Sequence, residues 1–192
     1  MSLVVITPPT AEPVSVPEAR AQVKMDLTDD DAALALYLIA AREMAEHELQ
    51  RALVARTYEL TLDAFPDGTI EIPMGPVAAA GGTLTVSSIK YTDLTGAEIT
   101  IDPSAYTVDG ISDAPRIVAT SGWPTTKDTV NAVRVRFVSG SADPSLIPAG
   151  VKAWILAHVA EMYARREANV TTTAISPLPR LGRLLDPYRS YR

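Results

Sequence analysis

The chain has no cysteine, only two histidines, and just two phenylalanines and two tryptophans in 192 residues. The lack of cysteine excludes disulfides, thiol catalysis and thiolate metal sites, and leaves the redox compartment open. The two histidines offer little chemistry. His47 stands between Glu46 and Glu48, and residues one apart do not share a helix face, so the three are not a ligand set. His158 falls on the apolar side of a helical run and reads as a core residue. The HExxH, GxSxG and P-loop patterns do not occur, and Gly81-Gly82 does not open a helix as a dinucleotide loop would. Aromatic residues, at 6%, are too few for a single-strand stacking platform. No run of 18 uncharged apolar residues occurs, so no transmembrane span and no membrane partner are expected. The opening MSLVVITPPTAEP lacks the basic region and long apolar stretch of a secretory signal.

Acidic clusters are present but do not make a site. Asp29-Asp30-Asp31 lacks the alternating ligand spacing and distal glutamate of a calcium loop. It suits a helix N-terminus, where the helix dipole favours negative charge. Glu43 and Glu46 have helical spacing and read as a solvated face rather than an acid/base pair. No catalytic residue, metal ligand or cofactor site is expected, and the chain is read as a non-enzyme.

What the sequence does have is an uneven charge distribution. The net charge is −6. From Thr173 onward there are four arginines and one aspartate, a net +3, so residues 1–172 carry −9. That basic stretch contains Leu178, Arg180, Leu181, Arg183, Leu184, Leu185, Tyr188, Arg189, Tyr191 and Arg192. It is interrupted by Pro177, Pro179, Gly182 and Pro187, which break any helical pattern. Such an arm has no obvious way to bury its own leucines. It either meets a partner surface or folds back on the acidic body.

The body divides by periodicity. Ser15-Val16-Pro17-Glu18 forms a capping box for a short helix to about Met25. Thr28 caps a second helix carrying Leu34, Tyr37, Leu38, Ala41, Ala45 and Leu49 to near Arg51. Period-two strands follow over 57–63, 69–72, 84–91, 98–101, 106–108, 116–119 and 132–138. Asp67-Gly68 signals a hairpin between the first two, and 73–82 reads as a mobile loop. A long helix occupies about 147–168. The expected fold is α+β: a helical bundle of two N-terminal helices and one long C-terminal helix, an inserted small antiparallel β module, and an extended C-terminal arm. The boundaries are 1–14 for an N-terminal extension, 15–55 and 144–170 for the bundle, 56–143 for the β module and 171–192 for the arm. Trp123 sits in a Gly/Pro turn, where it plugs the end of the β module or meets a partner. Arg134 and Arg136 alternate with apolar residues on one strand face.

Four ordered stretches carry a resemblance. They are Val16–Val23 with Leu27–Asp31; Leu38–Glu43 with Arg51–Leu53 and Thr57–Pro66; Ser87–Tyr91 with Asp102–Tyr106; and Trp123-Pro124 with Asn131–Phe137, Ile147-Pro148 and the last helix. Leu184-Leu185-Asp186-Pro187-Tyr188-Arg189 matches an LLxPYR-like ending. Together they resemble the head–tail connector (adaptor) proteins of tailed bacteriophages and phage-like gene transfer agents. The resemblance implies a structural protein with no catalytic role and no cofactor. It implies a homo-oligomeric ring, commonly of twelve, that extends the DNA channel beneath the portal protein. DNA passes without sequence-specific binding. On the tail side the ring meets the next neck protein, a stopper or terminator. The implied location is the head–tail neck of a virion or phage-like particle assembled in the host cytoplasm. The arm residues from Leu178 to Arg192 named above would contact the portal. Trp123, with Pro76 and Val77 of the 73–83 loop, would be tail-side or subunit contacts. Two other readings stay open: a β-module adhesion or ligand-binding protein using Trp123 and Tyr91, and a DNA-binding regulator using Arg180 to Arg192.

Overall fold

In the computed structural model, residues 1–112, 114–165 and 181–190 are described. The first helix, α1 (Val16–Val23), starts as its sequence dictates. The Ser15 hydroxyl accepts from the Glu18 N–H while the Glu18 carboxylate accepts from the Ser15 N–H at 2.7 Å. The helix ends at Lys24, whose φ of 57° is left-handed. Helix α2 (Asp31–Leu49) begins later than the Thr28 cap anticipates. Asp30 takes the cap position, and its carboxylate accepts instead from the Tyr163 hydroxyl at 2.8 Å. Tyr163 belongs to helix α3 (Ala149–Ala164), so this bond ties the start of α2 to the end of α3. The sequence-predicted continuation of α3 beyond Arg165 lies outside the described residues.

The three α-helices share one apolar cluster. Ala19 comes from α1; Leu34, Leu38, Ala41, Ala45 and Leu49 form a stripe along α2; Val151, Trp154, Ile155 and Val159 come from α3. The spacing of the α2 residues keeps them on one face of a 3.6-residue helix. Among the described residues no helix is long and apolar enough to cross a membrane.

A second core lies between two antiparallel sheets. The larger has the order β1 (Ser2–Thr7), β3 (Arg56–Leu62), β10 (Val133–Gly140), β6 (Thr83–Thr92), β7 (Glu98–Thr100). The smaller has the order β4 (Thr69–Glu71), β9 (Arg116–Ala119), β8 (Tyr106–Asp109). Alternation decides what faces inward. Val133, Val135 and Phe137 of β10 are buried with Leu60, Ile89, Ile70 and Ile117, while Arg134 and Arg136 point out.

Three features depart from the sequence reading. The stretch read as an N-terminal extension contains a strand: β1 pairs with β3, Leu3 opposite Leu60 and Val5 opposite Tyr58. The hairpin over Asp67-Gly68 does not form. β3 already has β1 on one edge and β10 on the other, so β4 crosses to pair with β9. Part of the stretch read as a mobile loop is built into the interior, while Ala78, Ala79 and Gly81 stay exposed. Gly75–Pro76 (β5) pairs in parallel with Arg51–Ala52 (β2), and Val77 and Ala80 are buried in the helical cluster.

The layers meet where β10 leaves its sheet. Ser141 N–H donates to the Leu53 carbonyl at 2.9 Å, and Ala55 N–H donates to the Ser141 carbonyl at 2.8 Å. Gly140 adopts φ +119°, and a Cβ there would lie 2.4 Å from the Val54 backbone. Only glycine permits this approach.

Aspartates organise the turns. The side chains of Asp93, Asp102 and Asp109 accept from the hydroxyls of Thr95, Ser104 and Ser112 at 2.6, 2.6 and 2.7 Å. Asp143 accepts from the Ser145 N–H at 2.9 Å. Side-chain hydrogen bonds from Thr95, Ser104, Ser112 and Ser145 hold these four carboxyls below the ordinary aspartate value. Ser15 does the same for Glu18.

Two outcomes follow from this architecture. A carboxyl more acidic in the fold than in the unfolded chain stabilises the fold above its unfolded pKa. That contribution is lost as pH falls through the folded value. Denaturant titrations should therefore show declining stability on acidification below roughly pH 4, and less decline for Ser104→Ala or Thr95→Val; an unchanged profile in these variants would contradict the assignment. Leu185 is fully buried in the helical cluster. Leu185→Ala should lower the unfolding free energy by about 2–5 kcal/mol in urea titrations, and a loss under about 0.5 kcal/mol would mean the segment does not pack there.

Candidate interaction surfaces

The most concentrated chemistry in the chain is internal. Glu46, read from the sequence as part of a solvated face, is only 2% exposed. Its Oε2 accepts from Arg42 Nη1 at 2.7 Å and also meets the Arg56 guanidinium, while Oε1 accepts from the Leu53 N–H at 2.9 Å. Arg42, also 2% exposed, reaches Glu12 through Nε at 2.7 Å. One carboxylate thus joins α2, the approach to the sheet and strand β3, and Arg42 brings in the N-terminal segment. Burial pulls the Arg56 guanidinium below its ordinary value and pushes the Tyr58 hydroxyl beside it up. The Arg56 guanidinium carbon lies 5.4 Å from the Tyr58 ring centre, and Tyr58 stacks on Phe137 at 5.3 Å. This is the arrangement of a structural fastening, with each charge facing an opposite one.

His158 is also structural in placement, while His47 is exposed. His158 Nδ1 lies 2.9 Å from the Trp154 carbonyl, and its ring stacks on Trp154 at 3.6 Å. Among the described residues no group of three or more His, Cys, Asp or Glu is placed to hold a metal ion.

The described part of the basic arm, 181–190, lies on its own chain. Leu185 enters the helical cluster, and Leu181 and Tyr188 pack against it half-buried. Ser190 N–H donates to the Leu49 carbonyl at 3.0 Å, satisfying a backbone acceptor at the end of α2. Arg189 Nη2 donates to Glu48 Oε2 at 3.0 Å. This matches the fold-back alternative: basic arm on acidic body. Arg183 and Leu184 remain exposed. Leu178, Arg180, Tyr191 and Arg192 lie outside the described residues.

The structure separates the other candidate contacts. Pro76 and Val77 are buried beneath the helical cluster, because the strand pairing of Gly75–Pro76 draws the segment inward. Neither presents a side chain to a tail-side or subunit partner in this conformation. Trp123 stacks on Phe65 at 4.9 Å with ring planes 3° apart, and its Nε1 donates to the Gly68 carbonyl at 2.8 Å. Phe65 meets Tyr91 edge-on at 5.7 Å. Trp123 therefore closes the end of the β module, and it also lines two surface cavities of about 590 and 220 Å³. On the outer face of the larger sheet, Arg136 pairs with Glu59 at 2.7 Å, and Glu98 takes both Arg134 and Lys90.

The order of elements and the two-core arrangement can be compared with known structures. One chain from a structure of the neck of an empty gene transfer agent particle, computed with C6 symmetry, superposes with a TM-score of 0.81 at 26% identity, covering 100% of this chain and 97% of that one. This chain has the fold of a gene transfer agent neck protein. A chain from the virion of a native gene transfer agent particle matches at TM-score 0.78 and 24% identity, again over 100% and 97%. A chain from a native neck computed with C12 symmetry matches at 0.74 and 24% over the same shares. No protein-family model and no curated protein sequence matches the chain. The resemblance drawn from the ordered sequence stretches is borne out at the level of a gene transfer agent neck protein, and the neck fold spans the whole chain.

The sequence reading missed two features of this fold: the Glu46 hub and the exposed strand β1. Leu3-Val4-Val5-Ile6, an uninterrupted β-prone run, was the available signal for β1. The hub had a weaker one, Arg42 and Glu46 spaced i, i+4 beside a long apolar stripe. Glu46→Ala should cost about 3–5 kcal/mol in unfolding free energy, because it takes the carboxylate from the buried Arg56 guanidinium and leaves Arg42 held by Glu12 alone among its close partners. A wild-type denaturation midpoint for this variant would show that the hub carries nothing.

Proposed function

We propose that this chain is a structural head–tail adaptor: a non-enzymatic subunit of a ring beneath the portal that extends the DNA channel and docks the tail. The observation that carries the reading is the fold match over essentially the full length of both chains to a gene transfer agent neck. The matched necks were computed with C6 and C12 symmetry, which supports a ring as the working form here. A ring of identical copies is built from a heterologous interface that closes by rotation. The location follows as the neck of a phage-like particle.

The C-terminal arm is the portal contact in this reading. Leu181, Leu185 and Tyr188 hold it on the chain's own helices, which leaves Arg183 and Leu184 on the outside to meet the portal, together with arm residues beyond the described ones. Guanidinium groups pair with carboxylates in bidentate geometry, so an acidic portal surface is the matching chemistry. Many copies bound to one portal would add avidity to a weak single contact. An acidic body, −9 outside the arm, suits a channel wall that DNA must slide past without adhering.

Light scattering after size exclusion, on the protein alone and mixed with the portal encoded beside it, tests this. Arg183→Glu/Leu184→Glu should keep the wild-type melting temperature and lose portal association. Deletion of 175–192 should lose association as well, with reduced stability because Leu185 leaves the core. Portal complexes formed normally by both variants would sink the arm as the contact.

A further inference from the structure

Strand β1 is an open sheet edge without the usual protection. It pairs with β3 on one side, and among the described residues no strand pairs with its other side. Its six residues, Ser2 to Thr7, include no charge and no proline. Val4, Val5 and Ile6 are 52%, 43% and 44% exposed. Natural edges are blunted by lysine, proline, bulges or shortness. Here the one irregularity is a register shift between Val5 and Thr7, which leaves Ser2 to Val5 regular. The opposite end of the same sheet is open too. Among the described residues β7 pairs only with β6, and Ile99 and Leu94 of that hairpin are exposed.

We propose that β1 of one copy adds to the β7 edge of the next, so that one sheet runs through neighbouring copies. This inference rests on the ring reading above and names the surfaces that would close it. Two different edges per copy meet head to tail, the kind of contact that generates a ring. Pairing β1 with β1 would be isologous and would stop at a dimer. Charge favours the same partner. Glu98 of β7 is already held by Lys90 and Arg134, so an uncharged strand laid beside it buries no unpaired carboxylate. Strand addition supplies affinity through main-chain hydrogen bonds and register through alternate side chains.

The cysteine-free sequence provides a direct test. Ser2 and Val4 lie opposite Thr61 and Glu59, on the charged outer face of the sheet, and Thr100 lies opposite Lys90 on that same face with Glu98. Four double variants, placing cysteine at Ser2 or Val4 and at Glu98 or Thr100, cover the alternative registers. Disulfides form only when the two Cα atoms come within about 7 Å. Oxidised, assembled protein of at least one double variant should give a ladder of covalent multimers on non-reducing electrophoresis that collapses with reductant. The single variants should give none. A ring by light scattering with no ladder from any pair would overturn the edge contact while leaving the ring intact. Dimers from the Val4→Cys single variant would overturn it in favour of β1–β1 pairing. A chain that stays monomeric at every concentration, with and without portal, would overturn both this inference and the ring.

Discussion

Everything in this fold turns on the Glu46 carboxylate being held on both sides. A buried charge is tolerated only where opposite charge and hydrogen bonds replace lost water. Arg42, Arg56 and the Leu53 N–H supply that replacement, and each comes from a different part of the path between α2 and β3. The helical cluster and the sheet core are chemically separate, so apolar packing alone leaves their relative orientation loosely specified. A directional charge network at the junction specifies it. The Gly140 crossing and the Leu53–Ser141 hydrogen bond complete the junction at the other strand that passes between layers.

Much of this was legible in the sequence where one physical signal dominated. Ser15 and Glu18 announced α1 because a capping box satisfies specific backbone donors. The stripe from Leu34 to Leu49 announced α2, and the alternation in 133–137 announced β10 with its outward arginines. The ordered motifs pointed to the neck fold that the structural match then displayed.

The illegible parts were those decided by partners far along the chain. Asp67-Gly68 has good local turn chemistry, yet β3 had both edges filled by strands from residues 2–7 and 133–140, so tertiary pairing overrode the turn. Residues 73–82 look loop-like because glycine, proline and alanine carry little periodicity; their burial comes from a two-residue parallel pairing with 51–52. Glu46 reads as a surface residue in any window of its own helix, since the second arginine that neutralises it lies ten positions on. Arm residues 181–190 lack periodicity, and their fold-back depends on an apolar cluster assembled from helices far along the chain.

The strand and helix order has a consequence for synthesis. β3 at residues 56–62 finds a neighbour in β10 at 133–140, and α2 at 31–49 completes its apolar cluster with α3 at 149–164. Contacts of such long sequence separation form late, after a large loop-closure cost. A nascent chain therefore cannot close its sheet core until residues 133–140 have emerged, or its helical core until α3 has followed. Until then the uncharged strand Ser2–Thr7 lacks the β3–β10 sheet it belongs to and stays open to pairing with other unfinished chains.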